Sequence, residues 1–427
     1  MLIRNATLAD GRQRDVRIEG ERIAAVGSQL AQESGEGALD MTGLLLLPGA
    51  IDVHVHFREP GFSHKETWET GSKSAAAGGV TTVVDQPNTE PPTVDGASFD
   101  AKAALAEASY VDYGINGGVV PDWKPDELFS RPLFALGEVF LADSTGEMGI
   151  GPELFAEAVE RAGAEGVGVT VHAEDATLFD EAAMERPDDD YDAWSAYRTA
   201  EAEAAAIERA CEVGAASEAS IHIAHTSTPE GIDAAAAGGA TCEVTPHHLF
   251  CSREDLDELG SFGRMNPPLR SEERRKAVAE RVANGTVDVI ATDHAPHTRE
   301  EKDAGVWDAP SGVPGVETML PLLLAEAGRG TFDYERVRDL TARNPADIFD
   351  LPRKGRIEPG ADADLVLFDL DDVREIRGEE LHSKCGWTPF EGREGIFPVL
   401  TMVRGHVVYD DGEFGRAVGQ NVRANSE

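Results

Sequence analysis

Residues 49–61 read GAIDVHVHFREPG, an apolar run bounded by glycine that carries His54 and His56 near its end and Arg58 just beyond. In an extended strand, residues two apart share a face with Cα atoms roughly 6.6 Å from one another, so the two imidazoles can converge on one ion. The apolar residues around them indicate a strand buried on both faces, as in parallel sheets. Seven more such runs follow: VTTVVD (80–85), VDYGINGGVV (111–120), LFALGEVFLA (133–142), GVGVTVHA (166–173), SIHIAH (220–225), TCEVT (241–245) and VDVIAT (287–292). Between them lie helix-periodic, alanine-rich segments such as FDAKAALAEAS, PELFAEAVERAG and SEERRKAVAERVANG. Eight strands alternating with helices predict an α/β fold closed into a (β/α)8 barrel. The alternative, an open doubly wound sheet, is disfavoured because no G-x-G-x-x-G turn follows any of the strands.

Outside this region the pattern changes. The opening MLIRNATLADGRQRDVRIEGERIAAVG and the later GRIEPGADADLVLFDLD and FPVLTMVRGHVVYDDGEF alternate apolar and polar residues with turn dipeptides. They predict a small β-sandwich domain built jointly by residues 1–48 and 350–427 around a catalytic barrel at 49–349.

The chain of 427 residues holds 38 basic and 79 acidic side chains, a formal charge of −41, and only 8 of the basic residues are lysine. So acidic a surface excludes nucleic acid as a partner and repels itself in dilute buffer. At ~1 M salt the Debye length falls to roughly 3 Å and the repulsion is screened, the situation of a halophilic protein. Cys211, Cys242, Cys251 and Cys385 lie far apart with no C-x-x-C pair, so neither a disulfide framework nor a thiolate zinc site is expected. No apolar run approaches the ~20 residues that cross a bilayer, and the N-terminus has no basic-then-apolar leader, so a soluble cytoplasmic protein is expected. The alanine-rich outer helices allow a homo-oligomer.

Barrel enzymes collect their chemistry at the C-terminal ends of the strands. Those ends carry His54 and His56 on the first strand, Glu138 on the fourth, His172 on the fifth, His225 on the sixth and Asp293 on the eighth. A lone H-x-H is weak, but four imidazoles with carboxylates on one face suit zinc or a related divalent ion. A shared carboxylate suits two ions ~3.5–4 Å apart.

The stretches DVHVHFREPG, QPNTEPP, VHAED, HIAHTST, MNPPLR, TDHAPH and NPADIF…GRIEPGADADLVLFD resemble the amidohydrolase superfamily, and within it the dihydroorotases, over nearly the whole chain. The resemblance implies reversible ring closure of N-carbamoyl-L-aspartate to dihydroorotate in pyrimidine biosynthesis, by a water activated between two zinc ions. It implies that His54, His56 and Asp293 hold one ion, that His172 and His225 hold the other, and that Glu138 bridges. It also implies that Asp293 shuttles the proton. A substrate carboxylate needs a planar cation in so acidic a protein, and Arg58, two residues past His56, fits that need. By resemblance Asn88 and His297 complete the carboxylate clamp around Arg58 and His56, Asn266 contacts the ring, and backbone groups of Ser311 and Gly312 lie near it. A surface ion pair with Glu59 is the plainer reading of Arg58.

Two positions depart from the family pattern. Many relatives bridge their metals with a carbon dioxide-modified lysine where this chain has Glu138 in EVFLADSTG. The glutamate is shorter by roughly 3 to 4 Å in reach, so the ions sit closer to the strand, a water intervenes, one ion dominates, or Asp143 in the following loop serves instead. Gln86 stands where relatives often have methionine, a change read here as packing alone. His222 is out of phase with His225, and His247 and His248 have no matching ligand role, so these three are read as structural. His64, Lys65 and Glu66 are read as capping or solvating the first helix. Allantoinase or hydantoinase-type hydrolases would share the metals without a clamp. A noncatalytic barrel scaffold would have lost ligands, and a deaminase would leave Arg58 unexplained.

Overall fold

In the computed structural model, which describes residues 1–144 and 148–424, each of the eight apolar runs contains a strand. Residues 425–427, the last of the expected terminal unit, and 145–147, within the loop after the fourth run, lie outside the described residues. Five strands come first: β1 (Leu2–Leu8), β2 (Gln13–Glu19), β3 (Arg22–Gly27), β4 (Ala38–Asp40) and β5 (Leu45–Pro48). The eight that follow are β6 (Ala50–Val55), β7 (Val80–Asp85), β8 (Asp112–Ile115), β9 (Leu136–Phe140), β10 (Val169–His172), β11 (Ile221–Ile223), β12 (Thr241–Val244) and β13 (Val289–Ile290). The last four are β14 (Leu365–Glu375), β15 (Glu394–Val403), β16 (His406–Asp410) and β17 (Glu413–Phe414).

Strands β6 to β8 and β9 to β13 form two parallel ladders. Bridges between Gly117 and Leu136 and between Val55 and His294 join these ladders at both edges, so the eight strands close into a barrel. The seam between last and first strand is tied by His56 N–H donating to the His294 carbonyl at 2.8 Å, and by Thr292 donating its N–H and hydroxyl to Asp52. Closure leaves no free edge to pair with another chain. The strands are shorter than the runs that announced them, because the last residues of several runs leave the ladder to present side chains at the barrel mouth.

The crossover helices form where capping and burial agree. In Glu272–Asn284, the Ser271 hydroxyl accepts the Arg274 N–H, acidic residues fill the first turn, and Gly285 closes the end at φ 92°. Its Val278 and Val282 enter the main apolar core together with Phe155 and Val159 of the helix Pro152–Glu165. A second apolar cluster joins Ile51, Val53, Val84, Phe134 and Val289 of the barrel to Phe349 and Leu351.

Both ends of the chain build one nine-stranded sheet in the order β17-β16-β15-β14-β5-β1-β2-β3, with β4 beside β1. Strand alternation assigns its two faces. Leu46, Leu365 and Leu367 pack into the sheet's own cluster with Ile3, Val16 and Met402, whereas Leu45, Leu47, Val366 and Phe368 pack into the main core. Among the described residues no helix is long and apolar enough to cross a membrane, and all four cysteines are buried free thiols.

Candidate active site

Glu138 lies at the centre of the barrel mouth. Its Oε1 is 2.6 Å from His225 Nε2 and 2.8 Å from His172 Nδ1, and its Oε2 is 3.4 Å from His54 Nε2. Asp293 Oδ1 is 2.9 Å from His56 Nε2 and 3.6 Å from His54 Nε2. Two triads result, His54–His56–Glu138 and Glu138–His172–His225, each with ligand atoms within 4.8 Å of one another, and Glu138 belongs to both. Asp143, the alternative bridge, is exposed, accepts the Gly149 N–H at 2.8 Å and belongs to neither triad.

The backbone explains how a short glutamate reaches this position. Leu136 pairs with Val169 but Val139 with Val171, so β9 carries one residue more than β10 between these pairs. Such a bulge re-aims a side chain. Gly137 makes room for it: at φ 140°, a Cβ there would stand 2.1 Å from Thr170 Oγ1. His225 and Asp293 also hold positive φ, 34° and 46°, strain of about 1–3 kcal/mol each of the kind that gathers where side chains must be aimed.

The charge pattern suits cations. His54 Nε2 is buried, has no hydrogen-bond partner among the described residues and faces Glu138 and Asp293. Burial disfavours charge on His54, yet Glu243 and Glu138 outweigh it and hold its pKa well above the usual value. At His172 burial is likewise overcome by Glu138 and Glu174, and the pKa rises to about 9. Burial pushes the Glu138 carboxyl up, but the imidazoles of His54 and His225 hold it well below its ordinary range. Four imidazoles and two carboxylates, with the charge on His54 and His172 favoured by the carboxylates beside them, are a donor set fitted to divalent metal.

The ligand histidines are oriented from behind. His54 Nδ1 lies 2.5 Å from Glu243 Oε1, His56 Nδ1 2.7 Å from Asn88 Oδ1, and His172 Nε2 2.9 Å from Glu174 Oε2, which Arg198 also holds. Sequence reasoning missed Glu174 and Glu243. Glu243 was visible as a carboxylate inside the run TCEVT, and Glu174 as one two residues past a ligand.

The cavity over this centre is walled by Arg58, Asn88, Asn266, Ser311 and Gly312. Arg58 is not on the strand face, since β6 ends at Val55; a loop residue at φ 66° delivers it. It is 4% exposed, donates from Nε to the Pro296 carbonyl at 3.1 Å, and has no ion pair among the described residues. Burial lowers its pKa to about 10. Glu59 instead accepts the Trp68 N–H. His297 stands behind this wall rather than in it: fully buried, its Nε2 is 3.1 Å from Arg58 Nη2 and 2.9 Å from the Ser311 carbonyl. Asn266 is held by Trp194 Nε1, which donates to its Oδ1 at 2.9 Å, while its Nδ2 donates to Ser144 Oγ.

Other expectations resolve individually. His222 reaches Glu243 Oε2 at 3.1 Å and packs on Phe349, one contact removed from the metal triads. His248 is tied to Thr245 and the Pro267 carbonyl, and His247 is buried beside it. Lys65 does not solvate a helix: its Nζ is 3.1 Å from His297 Nδ1. Glu66 is fully buried and accepts from Ser383 Oγ at 2.5 Å. Gln86, read as packing, is instead hydrogen-bonded to the Glu138 backbone.

A closed parallel barrel with two histidine–carboxylate triads sharing one glutamate at its mouth defines a metal-dependent hydrolase of the barrel class. The chain belongs to the amidohydrolase family, whose model matches residues 45–408. It is 66% identical over 424 residues to the dihydroorotase of Halobacterium salinarum, covering 99% of each chain. It is 43% identical to the dihydroorotase of Methanosarcina acetivorans over 93% of this chain and 89% of that one. Among solved structures, L-hydantoinase (dihydropyrimidinase) from Arthrobacter aurescens matches with a TM-score of 0.93 at 28% identity, over 98% of both chains.

Proposed function

We propose that this protein is a dihydroorotase that interconverts N-carbamoyl-L-aspartate and dihydroorotate in the cytoplasm of a salt-adapted cell. The observation that carries the reading is Arg58, a buried guanidinium without a carboxylate partner among the described residues, in the wall of the cavity that holds both triads. An unpaired buried cation calls for an anionic ligand. Dihydroorotate and carbamoyl aspartate carry a carboxylate there, and hydantoin does not. The relatives at 66% and 43% identity support the same choice.

In this reading His54, His56 and Asp293 would hold one zinc ion and His172 and His225 a second, with Glu138 the ligand they would share. When bound, such ions acidify a water molecule and polarise a carbonyl oxygen. Asp293 accepts the proton of the attacking water at Oδ1 and delivers it to the departing ring nitrogen; in ring closure it works in reverse. That oxygen lies 2.9 Å from His56 Nε2, and Asp293 lines the cavity. Arg58 pairs with the substrate carboxylate, and Asn88, whose Oδ1 is turned to His56, offers its Nδ2 to the same group. Asn266 and the backbone of Ser311 and Gly312 align the ring, and His297 supports Arg58 from behind.

The test is the purified protein in high salt with zinc, assayed for ring closure of carbamoyl aspartate and for opening of dihydroorotate, hydantoin, dihydrouracil and allantoin. Turnover of the first two is expected. Turnover of hydantoin or allantoin with none of dihydroorotate would reject the assignment.

A further inference from the structure

Gln86 lies just past β7 and is 1% exposed. Its Oε1 accepts the backbone N–H of Glu138 at 2.8 Å and Asn116 Nδ2 at 3.0 Å, and its Nε2 donates to the Val53 carbonyl at 3.2 Å. The amide cannot be turned over, because a backbone N–H only donates and a carbonyl only accepts. One side chain, just past the end of β7, therefore ties together Val53 of β6, Asn116 just past β8 and Glu138 of β9. The Gln86 carbonyl is itself gripped by buried Lys102 at 2.6 Å.

The bond to Glu138 falls in the stretch where β9 carries its extra residue. With only two methylenes between backbone and carboxylate, the place of this backbone decides where both carboxylate oxygens lie. Those oxygens contact three imidazoles at 2.6, 2.8 and 3.4 Å, which leaves little freedom for the strand to shift. An apolar side chain of similar volume at position 86 would fill the space while leaving the Glu138 N–H and the Val53 carbonyl buried without partners.

We infer that Gln86 is the positioning residue for the shared metal ligand: it fixes the bulged backbone of Glu138 so that a short carboxylate reaches both histidine groups. This rests on the reading of Glu138 as the ligand common to two ions.

The experiment strips the protein of metal and titrates zinc in competition with a chromophoric chelator. It uses wild type, Gln86→Met, Glu138→Ala and the double variant, with folding checked by circular dichroism. Gln86→Met should weaken binding of at least one ion roughly tenfold or more, the size of effect typical for groups that support metal ligands. In the Glu138→Ala background the same change should add nothing, because its route is gone. The visible spectrum of the cobalt-loaded protein should change in Gln86→Met as well. Affinity within about twofold of wild type, or an equal loss in both backgrounds, would overturn the inference. If Gln86→Met does not fold, Asn116→Ala, which releases Gln86 Oε1 from one side, should give a smaller loss that also depends on Glu138; unchanged affinity would overturn the inference by that route. Wild type that binds no zinc would bring down the functional reading and this inference together. Tight zinc binding unaffected by Gln86→Met removes the inference alone.

Discussion

Oε1 of Glu243 lies 2.5 Å from Nδ1 of His54, with both side chains buried. The contact fixes which ring nitrogen of His54 faces the barrel mouth, and the carboxylate makes that nitrogen a stronger donor to a cation. Glu243 also accepts the His225 N–H at 3.1 Å, so one carboxylate supports a ligand in each triad. Glu243→Gln should weaken zinc binding roughly 10- to 100-fold. Chelator competition on the folded variant measures this, and unchanged affinity would confine Glu243 to a role in folding.

The clamp reading makes Arg58 separable from the metals, since none of its contacts is to a triad residue. Arg58→Met should reduce kcat/KM for dihydroorotate by roughly thirtyfold or more, in line with about 2–5 kcal/mol for a lost buried charge pair. Zinc content should stay that of wild type. Loss of metal together with activity would mean that Arg58 supports the centre instead of the substrate.

How far the sequence foretold this arrangement depends on the kind of information each residue needed. The barrel was legible because eight apolar runs recur between helical stretches, and His54, His172, His225 and Asp293 because each lies near or just past the end of such a run. The bulge at Gly137–Glu138 was not, since a register shift of one residue depends on the pairing partner. For the same reason Gln86 read as a packing residue: its meaning lies in a hydrogen bond to a backbone 52 residues away. Glu66 does accept the Thr67 N–H at the helix start, as a capping residue should, but its contact with Ser383 and that of Lys65 with His297 come from segments far along the chain and could not be read locally.

Lys102 and Asp85 form an ion pair at 2.6 Å with both side chains fully buried, and Asp85 also accepts the Phe57 N–H beside the clamp loop. Removing one partner strands the other charge in the interior. Lys102→Met should therefore cost about 3–5 kcal/mol of folding stability, read by denaturant unfolding at constant salt. A loss below 1 kcal/mol would show that the site admits water or that Asp85 takes up a proton at little cost.

The net charge of −41 predicts a salt requirement for folding. Lowering ionic strength from ~1 M to ~0.1 M lengthens the Debye length from roughly 3 Å to 10 Å, so acidic side chains that ignored one another begin to repel. The thermal midpoint should fall steadily as potassium chloride is withdrawn, in zinc-loaded and zinc-free protein alike. A midpoint independent of salt would mean that the arginine–carboxylate pairs on the surface already neutralise the field locally.

His382 gives a pH dependence far from the metal ligands. Its Nδ1 is 2.8 Å from Glu317 Oε1, and its backbone N–H donates to Oε2, which also accepts from Ser74. The Glu317 carboxylate raises the His382 pKa against a smaller opposing effect of burial. Because the folded value lies above the unfolded one, near 6.5, the stabilisation is complete below the unfolded pKa and disappears as pH rises through the folded pKa. His382→Gln, which keeps a donor but no charge, should thus destabilise the protein more at pH 6 than at pH 9. Nuclear magnetic resonance titration of the His382 ring should place its pKa above the ordinary histidine value. A stability difference independent of pH, or a ring that titrates below that value, would show that the contact holds as a neutral hydrogen bond and that Glu317 contributes no electrostatic stabilisation through it.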